Sequence, residues 1–234
     1  MRALVTSLEW GTPPTRVRRK AEAVDRILRR RHRLRPWRER DPLGALIGTI
    51  LSQHTSDVNS GRAYAQLRRR YPTWEAVRAA SIAAIAAAIR PAGLASVKAP
   101  RIHAVLHRVA VERGRLSLAF LRRRPRDEAR AWLRSVPGVG PKTAAIVMQF
   151  ALAKPAFAVD THVDRVGRRL GLIPARMSTE DAHGWMETLV RPARYGPLHR
   201  LLVRHGREIC TARQPRCEVC PVRRWCDYAA TRRR

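Results

Sequence analysis

Four cysteines occur in this chain, and all of them lie near the C-terminal end, at Cys210, Cys217, Cys220 and Cys226. They follow the pattern C-x6-C-x2-C-x5-C. Four thiolates in a short segment are a ligand set for Zn²⁺ or for a [4Fe–4S] cluster. Structural zinc sites usually join two close cysteine pairs, whereas this segment contains one, so the spacing favours the cluster.

A second group of chemically suggestive residues lies in the segment Val136-Pro137-Gly138-Val139-Gly140-Pro141-Lys142. Gly138 and Gly140 permit a tight turn and a close approach of a ligand to the backbone. Pro141 suits the first position of a following helix, whose N–H groups attract an anion. The segment therefore predicts a phosphate-binding turn between two helices. The alternative is a plain connector that ends with a glycine cap.

Lys142 occupies the first turn of that predicted helix, where the helix dipole disfavours a cation and favours the neutral amine. A neutral amine is a nucleophile, and arginine cannot replace it in that role. Only four of the 48 basic residues are lysine, so a lysine at this position is noteworthy. We predict that Lys142 is a nucleophile. The alternatives are a solvated surface lysine and a further phosphate contact.

Asp160 follows Lys142 by eighteen residues, at the start of the next predicted helix. Thr161 and Asp164 resemble a capping box, with Thr161 as the N-cap and an acid three residues later. The Asp160 carboxylate is then not needed by the helix and can carry out acid–base chemistry opposite Lys142. The alternative is that Asp160 is itself the N-cap.

Helices must position all of these residues, because no segment alternates apolar and polar side chains as a strand does. The predicted class is all-α. Apolar spacing, with breaks at Gly and Pro, predicts helices over residues 16–33, 43–51, 57–71, 74–79, 81–89, 98–113, 117–122, 126–135, 141–153, 162–171, 179–192 and 196–209.

The charge balance points to nucleic acid as the partner. The formal net charge is +30, from 48 basic and 18 acidic residues, and such a charge attracts polyanions. A GC-rich genome accounts for arginine in place of lysine, but it does not account for the shortage of acids.

The expected cellular compartment depends on whether the sequence contains a membrane span or a signal peptide. No run of about 18 apolar residues is present, so we expect no membrane span. The segment Met1 to Thr15 lacks the basic start and apolar stretch of a signal peptide. We therefore expect a cytoplasmic, nucleoid-associated bacterial protein, in which clustered cysteines bind metal and form no disulfide.

Taken together, these segments resemble the endonuclease III family of helix–hairpin–helix DNA glycosylases over residues 20–228. The resemblance is carried by the cysteine spacing and by residues 51–53, 93–94, 98–99, 136–140, 142–144, 159–162 and 205–207. It implies a two-lobed all-α fold whose intervening groove holds DNA. One lobe is a six-helix barrel with the hairpin, at residues 43–153. The other is a discontinuous iron–sulfur domain, at residues 1–42 and 154–234, with the cluster loop at 210–226.

The same resemblance implies base-excision repair by a monomer acting on duplex DNA that contains damaged bases or abasic sites. The expected enzyme is a bifunctional glycosylase and abasic-site lyase that removes oxidised pyrimidines such as thymine glycol. Lys142 attacks C1′ of a flipped-out nucleotide, Asp160 assists, and the resulting Schiff base permits β-elimination. The four cysteines hold a [4Fe–4S] cluster away from the reaction centre.

The expected DNA contacts also come from the resemblance, with two departures from the family pattern. The expected set is Gln53, His54, Leu94, Gly138, Val139, Gly140, Thr143 and His162. The family's Leu-Ser-Ala-Gln-Ala-Thr-Asp is here Leu-Ser-Gln-His-Thr-Ser-Asp, so His54 stands where the gap-filling glutamine is usual. Ala95 stands where tyrosine is common. Both changes affect the side that reads the opposite strand, and base preference therefore stays open.

Three other functions compete with this expectation. A glycosylase for mispaired or alkylated bases shares the fold, but adenine-mismatch members generally lack the lysine and carry a further C-terminal domain. The eight residues after Cys226 do not supply such a domain. A non-catalytic iron–sulfur sensor of DNA damage has no need of Lys142 or Asp160. A zinc-stabilised DNA-binding module is colourless, whereas a cluster is yellow-brown.

Overall fold

The computed structural model describes residues 10–37 and 41–231. Within these ranges it contains twelve α-helices, several 3-10 turns and no strand, so the all-α prediction is confirmed. The helices are α1 (Thr15–Arg31), α2 (Pro42–Leu51), α3 (Asp57–Arg70), α4 (Trp74–Ala79), α5 (Ile82–Ala88), α6 (Ala95–Arg113), α7 (Arg126–Arg134), α8 (Pro141–Ala151), α9 (Thr161–Leu170), α10 (Thr179–Leu189), α11 (Tyr195–Glu208) and α12 (Asp227–Thr231).

Some predictions concern residues that lie outside the described ranges. The first nine residues, used in the signal-peptide and domain arguments, are not described, and neither are residues 38–40 and the last three. In the described part of the chain, no helix combines the length and the apolar composition that crossing a bilayer requires.

Several helix boundaries differ from the prediction for local reasons. Helix α6 begins at Ala95, three residues earlier than expected, because Gly93 and Leu94 adopt positive φ and the helix starts directly after them. The predicted helix at residues 117–122 is a single 3-10 turn, Ala119–Arg122. Helix α8 ends at Ala151, shortly before Ala153 adopts a φ of 54°.

The chain divides into two compact units, which we name the cysteine unit (Met1–Trp37 and Pro155–Arg234) and the hairpin unit (Arg38–Lys154). The hairpin unit contains α2 to α8. The cysteine unit contains α1 and α9 to α12, so its two chain segments meet only after folding.

The hairpin unit is organised around α2, which packs against α3, α6 and α8. Asp41 caps this helix by accepting a hydrogen bond of 2.7 Å from the Gly44 N–H, and Pro42 occupies its first turn, as the sequence predicts. Nearly every side chain of α2 is buried, including fully buried Leu46 and Ile50. A helix that is apolar all round must lie inside its unit, and this one does.

The cysteine unit has its own apolar core, in which α9 packs against α11 and α1 packs against α10 and α11. This core contains Val163 and Val166 of α9 and Leu198 and Leu202 of α11. Three of the four cysteines, Cys210, Cys220 and Cys226, pack against its edge. The segment 210–226 that carries the four cysteines, here called the cysteine loop, is therefore attached directly to the core of its unit.

Candidate active site and metal centre

The predicted turn between α7 and α8 has an open backbone. Gly138 has a φ of 78°, and a Cβ there would lie 2.7 Å from the Arg101 Cδ, so only glycine fits without displacement. Val139 is buried and its N–H donates to the Val136 carbonyl at 3.0 Å, which anchors the turn. A Cβ built on Gly140 would meet nothing within 4 Å. The backbone at Gly140 is therefore accessible to a ligand.

Lys142 is the second residue of α8, and its side chain is half-buried. No side chain caps the start of α8, whose N-cap is Gly140. Thr143, expected to contact DNA, is only 3% exposed, so its side chain faces the interior of the hairpin unit. What Thr143 can offer a phosphate is its backbone N–H at the start of the helix.

Gln53 and His54 follow α2 but differ in their surroundings. Gln53 Nε2 donates to the Gly138 carbonyl at 3.2 Å, and Gln53 Oε1 accepts from Arg101 Nη1 at 3.0 Å. Gln53 thus braces the hairpin turn. His54 is exposed and has a φ of 51°. Left-handed backbone costs a non-glycine residue about 1–2 kcal/mol and often occurs at ligand sites.

Leu94 shows the same two properties as His54. It is 53% exposed, and its backbone is left-handed, with φ 48° and ψ 37°. It serves as the N-cap of α6 and follows Gly93, which also has a positive φ. The hairpin unit therefore presents one imidazole and one apolar side chain, each on a strained and accessible loop.

Asp160 is the N-cap of α9, which corrects the capping-box prediction. Its Oδ1 accepts hydrogen bonds from the N–H groups of His162, at 2.9 Å, and Val163, at 2.8 Å. Asp164 instead forms an ion pair with Arg168, at 2.9 Å. Aspartate is a somewhat better N-cap than threonine, and the pairing of Asp164 with Arg168 removes the second member of the predicted capping box. The cap uses Oδ1 alone and leaves Oδ2 for other chemistry.

His162 lies where the segments around Asp160 and Gly206 meet. Its Nδ1 is 3.1 Å from Arg165 Nη2, and a Cβ on Gly206 would lie 3.1 Å from the His162 Cβ. Arg165 also donates to the carbonyls of Gly206, at 2.8 Å, and Cys210, at 3.0 Å. Segments 159–162 and 205–207, which carry two separate parts of the resemblance, are thus in contact inside the cysteine unit.

The two predicted catalytic residues belong to different units. Lys142 lies in the hairpin unit and Asp160 in the cysteine unit. Each lies at the N-terminal end of a helix, α8 and α9 respectively. The positive end of a helix dipole favours negative charge, whether of a bound phosphate or of a carboxylate.

All four cysteines line a single pocket in the cysteine unit. Arg169 holds the first part of the loop: its Nη1 lies 3.4 Å from Cys210 Sγ and donates to the Thr211 carbonyl at 2.7 Å. Its Nη2 donates to the Ala212 carbonyl at 2.9 Å. The sequence prediction missed Arg165 and Arg169. A spacing of four residues places both arginines on one face of α9, and this was the only local sign of a shared role. The carbonyls that they bind, those of Cys210 and Ala212, lie more than forty residues away in the sequence.

The chemistry of the pocket suits a cationic group bound by thiolates. Burial raises the pKa of the Cys220 thiol to about 11 and also raises that of Cys226, so the thiolates need a nearby positive charge. His205 Nε2 lies 3.6 Å from Cys220 Sγ. Burial lowers the pKa of His205 to about 4, so this imidazole is neutral at pH 7.

The arrangement of the sulfurs bears on the kind of metal group. In the two described ranges, no group of three or more His, Cys, Asp and Glu side chains converges as a single metal ion requires. The four cysteines nevertheless share one pocket. In a four-iron cluster each thiolate binds a different iron atom, so the sulfurs need not converge on one point. These residues therefore fit a [4Fe–4S] cluster.

Two known protein-family models match this chain, one over the helices around the hairpin and one over the cysteine loop. The model of the HhH-GPD superfamily of base excision DNA repair proteins matches residues 47–192. The iron–sulfur binding domain of endonuclease III matches residues 210–226, which contain all four cysteines.

Individual relatives and solved structures are similar to this chain over most of its length. The chain is 34% identical to an endonuclease III of Thermotoga maritima over 83% of this chain and 86% of that protein. A non-covalent endonuclease III–DNA complex matches with a TM-score of 0.80 and 27% identity, over 93% of this chain and 98% of that one. A trapped endonuclease III–DNA covalent intermediate matches with a TM-score of 0.78 and 28% identity, over 94% and 98%.

Some plant relatives are longer than this chain. The chain spans 59% of an Arabidopsis thaliana protein that is 37% identical and is named among the DNA glycosylases, and 10% of Protein ROS1C of Oryza sativa. The hairpin, the helices on either side of it and the cysteine loop all fall within regions matched by the endonuclease III relatives. The chain belongs to the endonuclease III family of base-excision DNA glycosylases in the HhH-GPD superfamily, and its cofactor is a [4Fe–4S] cluster.

Proposed function

We propose that this protein is a monomeric, bifunctional DNA glycosylase and abasic-site lyase that removes oxidised pyrimidines such as thymine glycol from duplex DNA. The observation that supports this most is Lys142, an amine at the uncapped start of α8, directly after the open backbone of Gly140. We assign the expected barrel lobe, residues 43–153, to the hairpin unit, whose described residues form the seven helices α2 to α8. We assign the iron–sulfur domain to the cysteine unit.

In the proposed reaction, the Lys142 amine attacks C1′ of the damaged nucleotide. The C1′–N bond to lysine forms as the glycosidic bond breaks, and the base leaves with the electron pair. Asp160 stabilises the developing positive charge on the sugar and accepts a proton from the attacking amine. The C1′–O4′ bond of the sugar ring then breaks, O4′ takes up a proton, and the C1′–N bond becomes the protonated Schiff base. The Schiff base acidifies the C2′ hydrogen, and β-elimination passes that proton to a base and breaks the C3′–O bond, with the 3′ phosphate as the leaving group.

We assign different roles to the residues that are expected to contact DNA, according to their surroundings. The backbone of Gly138 to Gly140 and the start of α8 bind a phosphate. His54, which is exposed, fills the gap left by the flipped-out nucleotide, and Leu94 separates the neighbouring bases. Gln53 is held by Arg101 and Gly138 and acts as a brace for the hairpin. His162 orients Arg165 beside the Asp160 cap.

The direct test is borohydride trapping on duplex DNA that contains thymine glycol or an abasic site. A reduced covalent adduct with both duplexes is the expected result, since the Schiff base is an intermediate of both reactions. Release of the base from thymine glycol without an adduct would support a monofunctional glycosylase. Binding of both duplexes without any cleavage would support a non-catalytic sensor of DNA damage. Each of these two outcomes would overturn the proposal.

Binding to DNA is expected to weaken steeply as salt rises. Each neutralised phosphate releases counterions, so the affinity of this +30 protein should fall about tenfold or more between 50 and 200 mM salt. Fluorescence anisotropy with an intact duplex measures this slope. An affinity that does not change over that range would contradict the role given to the basic residues.

The role we propose for the cluster is to hold a basic loop in shape. Four arginines of the loop, Arg213, Arg216, Arg223 and Arg224, lie between or beside the cysteine ligands. The cluster, when bound, supplies the positive charge that keeps the buried thiols as thiolates. Arg169 donates a hydrogen bond to Cys210 Sγ, and His205 Nε2 lies beside Cys220 Sγ.

Replacing one ligand should therefore destabilise this unit. We expect Cys220→Ser to lose iron and the yellow-brown colour and to cost about 4 kcal/mol or more of unfolding free energy, as losses of metal sites do. Iron analysis and thermal denaturation measure the two effects. Val219→Ser places the same side chain one residue earlier, at an exposed position, and should retain iron. A fully iron-loaded Cys220→Ser protein would contradict the ligand assignment.

A further inference from the structure

Lys98 is a charged residue buried inside the hairpin unit. It lies on α6 and is only 1% exposed, and burial lowers the pKa of its amine. Its Nζ donates two hydrogen bonds to backbone carbonyls, to Leu51 at 2.9 Å and to Ala92 at 2.8 Å. A lysine enclosed in this way cannot reach a substrate, so its role must come from the two carbonyl groups to which it donates hydrogen bonds.

The two carbonyls held by Lys98 belong to the ends of two helical segments. Leu51 is the last residue of α2, and Ala92 is the last residue of the 3-10 turn Arg90–Ala92. The final carbonyls of a helix lack partners within the helix and carry partial negative charge. One ammonium group therefore satisfies both ends at once and ties them to α6.

Each of these ends leads directly into a strained, exposed loop. His54 follows Leu51 by three residues, and Leu94 follows Ala92 by two. Both residues have left-handed backbone, with φ of 51° and 48°. The Lys98 N–H also donates to the Leu94 carbonyl, at 2.9 Å. Lys98 thus contacts the Leu94 loop through its backbone and its amine, and the His54 loop through its amine.

We propose that Lys98 is a positioning residue that sets the spacing of His54 and Leu94, so that both side chains enter the same lesion site in DNA together. This inference rests on the proposed function of the two loops. Entry at one lesion requires two side chains at a fixed separation, and each loop alone has a backbone conformation that relaxes unless it is held. A bridge through one buried amine supplies that constraint.

The test compares the affinity of each variant for a duplex with a stable abasic-site analogue against its affinity for the same duplex intact. In Lys98→Met this ratio should fall about tenfold or more, because misplaced loops lose the lesion contacts. Affinity for the intact duplex, which depends on phosphate contacts, should change less than about twofold. Lys98→Gln retains an N–H donor and carries the same test if the methionine variant does not fold.

A double-mutant cycle separates positioning from a general loss of structure. Leu94→Ala should lower the ratio by itself, and adding Lys98→Met should lower it little further, because both changes remove one coupled contact. Lys154→Met is the matched control: Lys154 is another lysine of the hairpin unit that donates to a backbone carbonyl, that of Arg124, and its loss should leave the ratio unchanged.

The outcomes distinguish this inference from the proposed function. If the unmodified protein does not prefer the abasic duplex, the proposed function fails. If it does, and folded Lys98→Met and Lys98→Gln keep the full ratio, the positioning role fails while the function stands. Fully additive effects of Lys98→Met and Leu94→Ala would also overturn the positioning role.

Discussion

Lys142→Gln is expected to abolish the borohydride-trapped adduct on duplex DNA and to lower strand cleavage at an abasic site more than about a thousandfold. An amide is not a nucleophile, so no Schiff base can form. Helix formation should survive, because the residue is half-buried in the first turn of α8 and glutamine is a good helix former. Circular dichroism and DNA affinity should stay close to those of the unmodified protein.

Lys154→Gln is the matched control for this experiment. Lys154 lies in the same unit, and its Nζ donates to the Arg124 carbonyl. The same substitution there should leave the adduct intact. An undiminished adduct with Lys142→Gln, or loss of the adduct with Lys154→Gln at unchanged folding, would refute Lys142 as the nucleophile.

The second large effect is expected at Asp160, where the structure allows charge and capping to be separated. Asparagine retains the side-chain oxygen that accepts from His162 and Val163, so Asp160→Asn should keep the cap of α9 and most of the stability. It removes the carboxylate charge, and base release should slow by about 10²–10⁴-fold. Single-turnover kinetics on a thymine glycol duplex measures this loss.

Asp160→Ala removes both functions. It should slow base release to a similar extent and also cost about 0.5–2 kcal/mol of unfolding free energy through loss of the cap. Asp41→Asn provides the control, since Asp41 caps α2 in the same way by accepting from Gly44. That variant should retain full activity. Asp160→Asn with unreduced base release would show that Asp160 only caps the helix.

Much of the candidate site could be predicted from the sequence because its signals are local. Asp41 before Pro42 predicts the start of α2, and Gly140 before Pro141 predicts the start of α8. The cysteine spacing predicts one shared metal site, and all four cysteines do line one pocket. Each of these features depends on residues a few positions apart, whose conformations are set by their own side chains.

The N-cap of α9 is a feature that local sequence signals did not predict correctly. Thr161 with Asp164 and Asp160 alone are both acceptable local solutions, and the sequence does not choose between them. In the folded protein Asp164 pairs with Arg168, and the guanidinium of Arg168 also donates to the Pro174 carbonyl at 2.8 Å. Asp164 is thereby committed to its own helix face, and Asp160 supplies the cap.

The sequence by itself determined the helical class, the hairpin with its lysine and the four-cysteine segment, because short-range spacing carries that information. Only the tertiary structure decided that Gln53 braces the hairpin while His54 stays exposed, and that Lys98 is buried between the final carbonyls of two helical segments. These outcomes depend on hydrogen bonds from Gln53 to Gly138, 85 residues away, and from Lys98 to Leu51, 47 residues away. Contacts over such separations are set by how the helices pack, and no local pattern encodes them.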